Sequence, residues 1–346
     1  MKVKAYGPNH ITTYLITLNN HKILLDFNCD DISEDDICEV DYIFLSHEHL
    51  DHFESLVKYE VVSKLKDSVR LFATKTTKEL IKYIATSRIN SIGYNTKAKN
   101  LINKLVDSIE EVFFNEKIEL VDGISFYLYR SGHTFGSSSV HLIGEYSLLY
   151  TGDIDYVKRN PSRQYNYPYH MNIDYMIVDG TRLFVSEYKG VSVNQVVDYI
   201  KRKKNQTEFK YNVRPEKAVF YAQALAEKMD DYVFVYSKQM GWYLEIIKSN
   251  GYNPYITNKV VFESNILFVE NEHPKRIILV NDNTSYNLDW KLSLHITKNE
   301  LMDIINNHIA NEPIVLVGHY DIENSNESID YLSQYIILKK GDNNIG

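Results

Sequence analysis

The chain has little of what several protein classes require. Only two of its 346 residues are cysteine, Cys29 and Cys38, too few for a disulfide framework and in no CxxC metal spacing. No run of about 18 apolar residues is present to cross a membrane as a helix. The opening Met1-Lys2-Val3-Lys4-Ala5-Tyr6-Gly7 has no apolar core of the kind a secretory signal carries. Basic charge is not in surplus: 38 Lys and Arg against 46 Asp and Glu give a net −8, so the overall field does not advertise a polyanion partner. These absences lead us to expect a soluble, intracellular protein, with the cytoplasm as its compartment. What remains is an ordinary globular balance, 44% hydrophobic and 24% charged. The length suffices for a large core in two structural units or one elaborated domain.

Histidine is also sparse, at 12 residues, and that makes its distribution informative. Three of them, His47, His49 and His52, fall within six positions and share the run with Asp51, directly after the strand-like Tyr42-Ile43-Phe44-Leu45. Imidazole and carboxylate suit zinc and similar divalent ions, and a short loop at a strand end can wrap them around two metals. A hydrophobic core would not choose this polarity. Other segments supply further donors in the same kind of place. His133 sits in the Gly- and Ser-rich turn Gly132-His133-Thr134-Phe135-Gly136-Ser137-Ser138-Ser139, where small residues let the backbone approach closely. Asp26, Asp153 and His319 each follow an apolar strand-like stretch, and strand-end loops are where sheet proteins gather ligands from distant parts of the chain. Asp26 reads equally as a turn-capping carboxylate.

Short β-branched and aromatic runs alternate with polar turns through the first 180 residues or so. Strands are expected at Thr13 to Leu18, Lys22 to Asp26, Asp41 to Leu45, Val69 to Ala73, Ile124 to Tyr129, Ser139 to Leu142, Ser147 to Tyr150 and Tyr175 to Val178. Helices are expected around Lys78 to Ser87 and Ala98 to Ile109. From about Val191 the texture becomes an alternation of strands and helices. It begins with a helix over Asn194 to Lys204, followed by a basic, aromatic stretch containing Lys203, Lys204, Phe209, Lys210, Tyr211 and Arg214. Such a stretch can hold phosphates while its rings stack on bases, or can be a solvated helix end. The loop after Asp153 carries Lys158 and Arg159 among several tyrosines, and Ser137 and Ser138 could donate to a phosphate or complete their own turn. The acidic segment from Asp30 to Asp41 would repel a polyanion.

The ordered set Asp26, His47-x-His49-x-Asp51-His52, His133 and Asp153 resembles the four metal-site motifs of the metallo-β-lactamase superfamily. Ala73-Thr74-Lys75-Thr76-Thr77-Lys78-Glu79-Leu80 and Gly132-His133-Thr134-Phe135-Gly136-Ser137 are similar to its β-CASP nuclease branch, which includes ribonuclease J, the cleavage-and-polyadenylation endonuclease and Artemis. Candidates for that branch's three extra motifs occur in order: Asp179, His295 and His319. The Gly318-His319 order reverses the His-Gly of ribonuclease J-like members, and Asp-Gly-Thr-Arg at 179–182 replaces the usual acidic-Ser/Thr-Thr-Tyr pattern.

The resemblance implies an α/β fold, a metallo-β-lactamase αββα sandwich formed by residues 1–182 and completed by 291–346, with a reduced β-CASP-like α/β insert at 183–290. It implies two divalent metal ions, zinc or manganese. His47, His49 and His133 would hold one ion and Asp51, His52 and His319 the other, with Asp153 bridging and Asp26 orienting from behind. Asp51 would orient the attacking hydroxide, and His295, steered by Asp179, would protonate the leaving group. The implied substrate is nucleic acid, RNA before DNA, bound with help from Ser137, Ser138, Lys158, Arg159, Lys203 and Lys204. An Artemis-like DNA nuclease and a hydrolase of a small ester or thioester are the alternatives, and an inactive binding module would have lost ligands that are all present here. Oligomeric state cannot be read from the chain, a homodimer being among the arrangements it allows.

Overall fold

A computed structural model describes residues 1–7, 11–155, 165–181, 183, 193–203, 205–229, 231–237, 240–253, 260–262, 275–280, 297–319 and 335–345. The chain divides into two compact units, one formed by Met1–Ser186 with Leu294–Gly346 and the other by Glu187–Ser293. Among the described residues no helix is long and apolar enough to cross a membrane.

The first unit starts with β1 (Lys2–Tyr6), β2 (Thr13–Leu18) and β3 (His21–Leu25). A two-residue turn joins β2 to β3, with Asn19 and Asn20 both at positive φ, 47° and 66°. Asparagine tolerates that backbone, whose twist matches the flanking strands. The one-turn helix α1 (Glu34–Ile37) leads to β4 (Val40–Phe44), then to the short helices α2 (Leu50–Phe53) and α3 (Tyr59–Val62) and to β5 (Arg70–Ala73). Next come α4 (Lys75–Ile92), α5 (Thr96–Asp107), β6 (Glu110–Glu111), β7 (Ile118–Glu119), β8 (Ser125–Arg130), β9 (Ser138–Ile143), β10 (Ser147–Tyr150) and β11 (Tyr175–Asp179).

The second unit holds α6 (Val193–Arg202), β12 (Glu208–Asn212), α7 (Pro215–Ala226), β13 (Val233–Tyr236), α8 (Gly241–Ser249), β14 (Val260–Phe262) and β15 (Arg276–Val280). Its four strands form one parallel sheet in the order β12-β15-β13-β14. Parallel pairing demands a crossover between strands, and the strand–helix alternation of the sequence supplies it. Along β12, Phe209 and Tyr211 alternate into the core while Glu208 and Lys210 face out, and the Phe209 ring packs against Tyr199 and Tyr232 and stacks with Tyr211.

The chain returns to the first unit with α9 (Lys298–His308), β16 (Ile314–Gly318), β17 (Tyr335–Ile337) and β18 (Gly341–Asn344). Its strands form two seven-stranded sheets, β18-β1-β2-β3-β4-β5-β6 and β17-β16-β11-β10-β9-β8-β7. The period-two alternation of the strands distributes apolar side chains to both faces. Tyr14, Ile16, Phe44, Phe72, Phe126, Leu142, Leu148 and Leu316 meet in a core drawn from both sheets. The opposite faces of β2, β4 and β5 send Leu15, Ile43 and Leu71 into a second core with Ile81, Ala85, Ile89, Ile102 and Val106 of α4 and α5. Met176, Val178 and Val317 join Leu301 and Ile304 of α9 in a third. Helices on both outer faces of two packed sheets make an αββα sandwich. This burial is the main stabilising term, at about 25 cal/mol per Å² of apolar surface.

Candidate metal centre

Every candidate donor lies where a strand ends. At the end of β3, Asp26 takes a left-handed backbone, φ 62°, a conformation costly for a side-chain-bearing residue and kept only where the surroundings hold it. The holding contacts are plain. Its Oδ1 accepts from the Ser46 N–H at 2.7 Å, and its Oδ2 accepts from Ser46 Oγ at 2.7 Å, His52 Nδ1 at 2.6 Å and Tyr150 Oη at 2.5 Å. A carboxylate so occupied positions its neighbours and does not itself face a ligand. Burial, reinforced by Asp26, raises the Tyr150 phenol well above its ordinary range, so it remains a donor.

The loop after β4 carries His47 and His49, and α2 places Asp51 and His52 on its first turn, with the His52 N–H bonded to the His49 carbonyl at 2.9 Å. Because Ser46 Oγ donates to Asp26, it accepts from His47 Nδ1, 2.9 Å away. His52 Nδ1 is likewise committed to Asp26. Both rings are thus set with Nε2 as the nitrogen turned toward the other donors, the arrangement by which an outer carboxylate or hydroxyl fixes a metal-binding tautomer.

Glycines let the other donors come close. A Cβ on Gly152, at φ 56°, would lie 2.8 Å from Ser46 Cβ, so the Asp153 loop crosses the His47 loop only because no side chain is there. Gly136, at φ 89°, similarly abuts Thr76, and its carbonyl accepts from Thr74 Oγ1 at 2.7 Å and Thr77 Oγ1 at 3.0 Å. That fastens the His133 turn to the start of α4. At Gly318 a Cβ would fall 1.8 Å from Tyr14 Oη. The missing side chain makes room for the buried phenol beside the backbone of His319, whose N–H bonds to the Ile11 carbonyl at 2.9 Å.

Two donor sets result. His47, His49, His133 and Asp153 each offer one ligand atom, all within 4.8 Å of one another. His49 Nδ1 lies 3.0 Å from His47 Nε2 and 3.2 Å from His133 Nε2, and Asp153 Oδ2 lies 3.4 Å from His133 Nε2 and 3.8 Å from His47 Nε2. Four ligands at tetrahedral zinc bonds of about 2.1 Å would stand about 3.4 Å apart, the middle of that spread. Asp51, His52 and His319 form the second set. There His52 Nε2 is 3.9 Å from Asp51 Oδ2 and 3.4 Å from Asp153 Oδ1, while His319 Nε2 is 3.8 Å from Asp51 Oδ2. His52 Nε2 is buried with no hydrogen-bond partner, a costly state for a lone pair unless something else meets it. The residues therefore fit divalent metal ions. His319 also donates through Nδ1 to Asp153 Oδ1 at 2.6 Å, and Asp179 joins Asp153 and His319 in a further close group. Asp179 is 2% exposed, and its Oδ1 accepts from the Thr181 N–H at 2.9 Å.

The field within the site is uneven. Burial and the neighbouring imidazoles push His47 down, so it stays neutral. Burial also opposes charge on His52, but Asp153 and Asp26 on its flanks outweigh it and raise the ring well above its ordinary range; without a metal ion a proton therefore takes the Nε2 position that an ion would claim. For Asp51, burial works against ionisation and the surrounding imidazoles overcome it.

Of the other expected contacts, Ser137 and Ser138 are buried. Ser137 Oγ donates to the Thr134 carbonyl at 2.9 Å and accepts from the Thr134 N–H at 3.0 Å, which closes the His133 turn, and Ser138 Oγ reaches the Ser46 carbonyl. Lys203 is exposed, its ammonium 5.7 Å over the Tyr199 ring. Lys158, Arg159, Lys204 and His295 lie outside the described residues. Sequence reasoning missed Thr12 and Asn28, which both donate to the Asp51 carbonyl, at 2.5 and 3.0 Å, along with Tyr14 and Tyr150. None of these carries a local signal, and only Ser46, beside His47, could have been suspected.

Two packed sheets flanked by helices carry clustered histidines and aspartates at their strand ends that could hold metal ions. Residues 15–159 match the metallo-beta-lactamase superfamily domain, and over a similar share of the chain its sequence is similar to nucleases of the β-CASP branch. It is 32% identical over 125 residues to cleavage and polyadenylation specificity factor subunit 3-I of Arabidopsis thaliana, covering 35% of this chain and 18% of that protein. It is 33% identical to endoribonuclease YSH1 of Candida albicans over 35% of this chain and 15% of that one. With an RNase J-like protein of Methanocaldococcus jannaschii the figures are 31% identity, 34% of this chain and 26% of the other. The chain thus matches about a quarter or less of the length of these relatives. A crystal structure of a protein of unknown function from Enterococcus faecalis V583 shares the fold across 99% of both chains, with a TM-score of 0.59 and 14% identity.

Proposed function

We propose that this protein is a two-metal nuclease that hydrolyses phosphodiester bonds in nucleic acid, RNA in preference to DNA. The observation that carries the reading is the Asp153 carboxylate, with Oδ2 beside His47 and His133 and Oδ1 beside His52 and His319. One bridging group shared by two donor sets is what a paired-metal site requires. In this reading His47, His49 and His133 hold one ion, Asp51, His52 and His319 the other. Two bound divalent ions, zinc or manganese, would supply a hydroxide near neutral pH and offset charge on a phosphodiester oxygen.

The chain's own residues do the rest. Asp51, with its side chain 48% exposed, stands at the open side of the site and orients the attacking hydroxide. Asp26 keeps His52 aimed through its hydrogen bond to Nδ1. Asp179 orients His295, which donates a proton to the leaving oxygen. Lys158, Arg159, Lys203 and Lys204 hold backbone phosphates. Residues 183–290 form a reduced β-CASP-like insert between the two parts of the sandwich, 1–182 and 291–346, a reading supported by the compact unit at Glu187–Ser293. The RNA preference is supported by the endoribonucleases among the chain's relatives.

The test is incubation of purified protein with labelled single-stranded RNA and DNA of one sequence, with zinc or manganese. RNA should be cut faster. Preference for DNA would overturn the RNA half of the proposal. Cleavage of neither, with turnover of a small thioester or lactone, would move the chain to the small-molecule hydrolases of its superfamily.

A further inference from the structure

Between the donors His47 and His49 stands a residue with no assigned part. Glu48 belongs to neither donor set, yet its carboxylate is buried, with 3% of the residue exposed. Burying a carboxylate is expensive unless specific partners meet it. One such partner is Thr134, neighbour of the third histidine donor, whose Oγ1 donates to Glu48 Oε2 at 2.7 Å.

We infer that Glu48 and Thr134 are positioning residues, a buried clamp that holds the His47–His49 loop against the His133 turn. The inference rests on the reading that these three histidines hold a metal. Direct links join the segments at both ends. At the strand end the Ser138 N–H bonds to the Ser46 carbonyl at 2.9 Å and Ser138 Oγ reaches the same oxygen at 3.4 Å, and the Glu48–Thr134 bond lies next to the donors themselves. Thr134 is a firm anchor because Ser137 grips both its N–H and its carbonyl, and Ser131 Oγ grips Ser137 in turn at 2.9 Å. The three imidazoles come from two loops 84 residues apart, with His49 Nδ1 and His133 Nε2 separated by 3.2 Å. A cage spanning two loops keeps its spacing only as well as the loops keep theirs, and outer contacts of this kind are typically worth 10- to 100-fold in metal affinity.

The experiment measures bound metal by elemental analysis, zinc affinity by competition with a chromophoric chelator, and melting of the chelated proteins. Thr134→Val is isosteric and removes only the hydroxyl, so it carries the test even where Glu48→Ala disturbs folding. Thr134→Val and Glu48→Ala should each weaken binding of one of two ions by about 10- to 100-fold, and the double variant should lose no more than the worse single one. Thr134→Ser and Glu48→Gln, which keep a donor and an acceptor, should restore affinity to within a few-fold. The chelated Thr134→Val protein should melt within a few degrees of chelated wild type. Wild-type affinity in Thr134→Val, or losses that simply add, would overturn the clamp. Less than one ion per chain in the wild type would instead overturn the metal reading on which it rests.

Discussion

The loop after β4 and the stretch joining α6 to β12 are made of the same materials, ring and charged side chains crowded together in sequence, and the fold disposes of them in opposite ways. After β4 the polar groups go inward. His47, Glu48 and His52 are buried, and Ser46, Thr134 and Asp26 each meet one of them through a side-chain hydrogen bond. Around β12 the rings go inward and the charges stay in water: Phe209 and Tyr211 are core, while Lys201, Arg202, Lys203 and Lys210 are exposed. Strand alternation imposes the second outcome, since a residue's face is decided by parity. In the first, a loop has no such period, and polar residues enter only because other buried groups receive them. A dense polar loop that is buried is thus a stronger sign of chemistry than a dense basic stretch that is not.

That contrast can be broken experimentally. The largest effect is expected from Asp51→Ala, which removes a proposed ligand and the water-orienting carboxylate together. Cleavage of labelled RNA should fall below detection while the circular dichroism spectrum stays unchanged, and residual turnover above about one per cent would remove Asp51 from the chemistry. Next in size is Gly318→Ala, because its Cβ would sit 1.8 Å from Tyr14 Oη. Denaturant titration should show a loss of about 3 kcal/mol or more, the upper part of the overpacking range, and metal content should fall as His319 shifts. Stability equal to wild type would mean that the Tyr14 contact yields at little cost.

A third effect is set by pH. His141 is buried, which lowers its ring to about 4, and its Nδ1 has no hydrogen-bond partner. A folded-state value below the unfolded 6.5 means the neutral ring is the native form. The stability it contributes is present above pH 6.5 and is lost as pH falls from there toward 4. The full difference is about 3 kcal/mol, from 1.36 kcal/mol per unit over about 2.5 units. His141→Phe should remove that decline, since Ser147 Oγ keeps its bond to the Asn172 carbonyl at 2.8 Å. Unfolding curves of chelated wild type and variant at pH 7 and pH 4.5 check this, and parallel losses would clear His141 of the role. The smallest effect belongs to Lys203→Ala, which should weaken RNA binding a few-fold and reduce the slope of log K against log salt by about one. No change in slope would leave the α6–β12 stretch a solvated face with no part in binding.

Much of this protein is legible in one dimension. The expected strands at 13–18, 41–45, 147–150 and 175–178 lie within a residue or so of those observed, because apolar periodicity suffices to set them. The helix from Lys298 has its capping box at Thr297 and Glu300. The strand β1 went unread, since Lys2 and Lys4 alternate with apolar residues over too short a span to stand out. The candidate donors that the structure gathers were legible too, because imidazole and carboxylate side chains at strand ends are few and chemically specific. What supports them was not. Asp26 could have been a turn cap until the structure set Ser46, His52 and Tyr150 around it, and nothing local showed that Ser137 would close the His133 turn through its own hydroxyl. By itself, then, the sequence determined most of the elements, the sandwich class and the candidate donors. The tertiary structure alone decided which polar groups are spent holding the donors in place, because that depends on contacts between residues 20 to 140 positions apart, where no local pattern reaches.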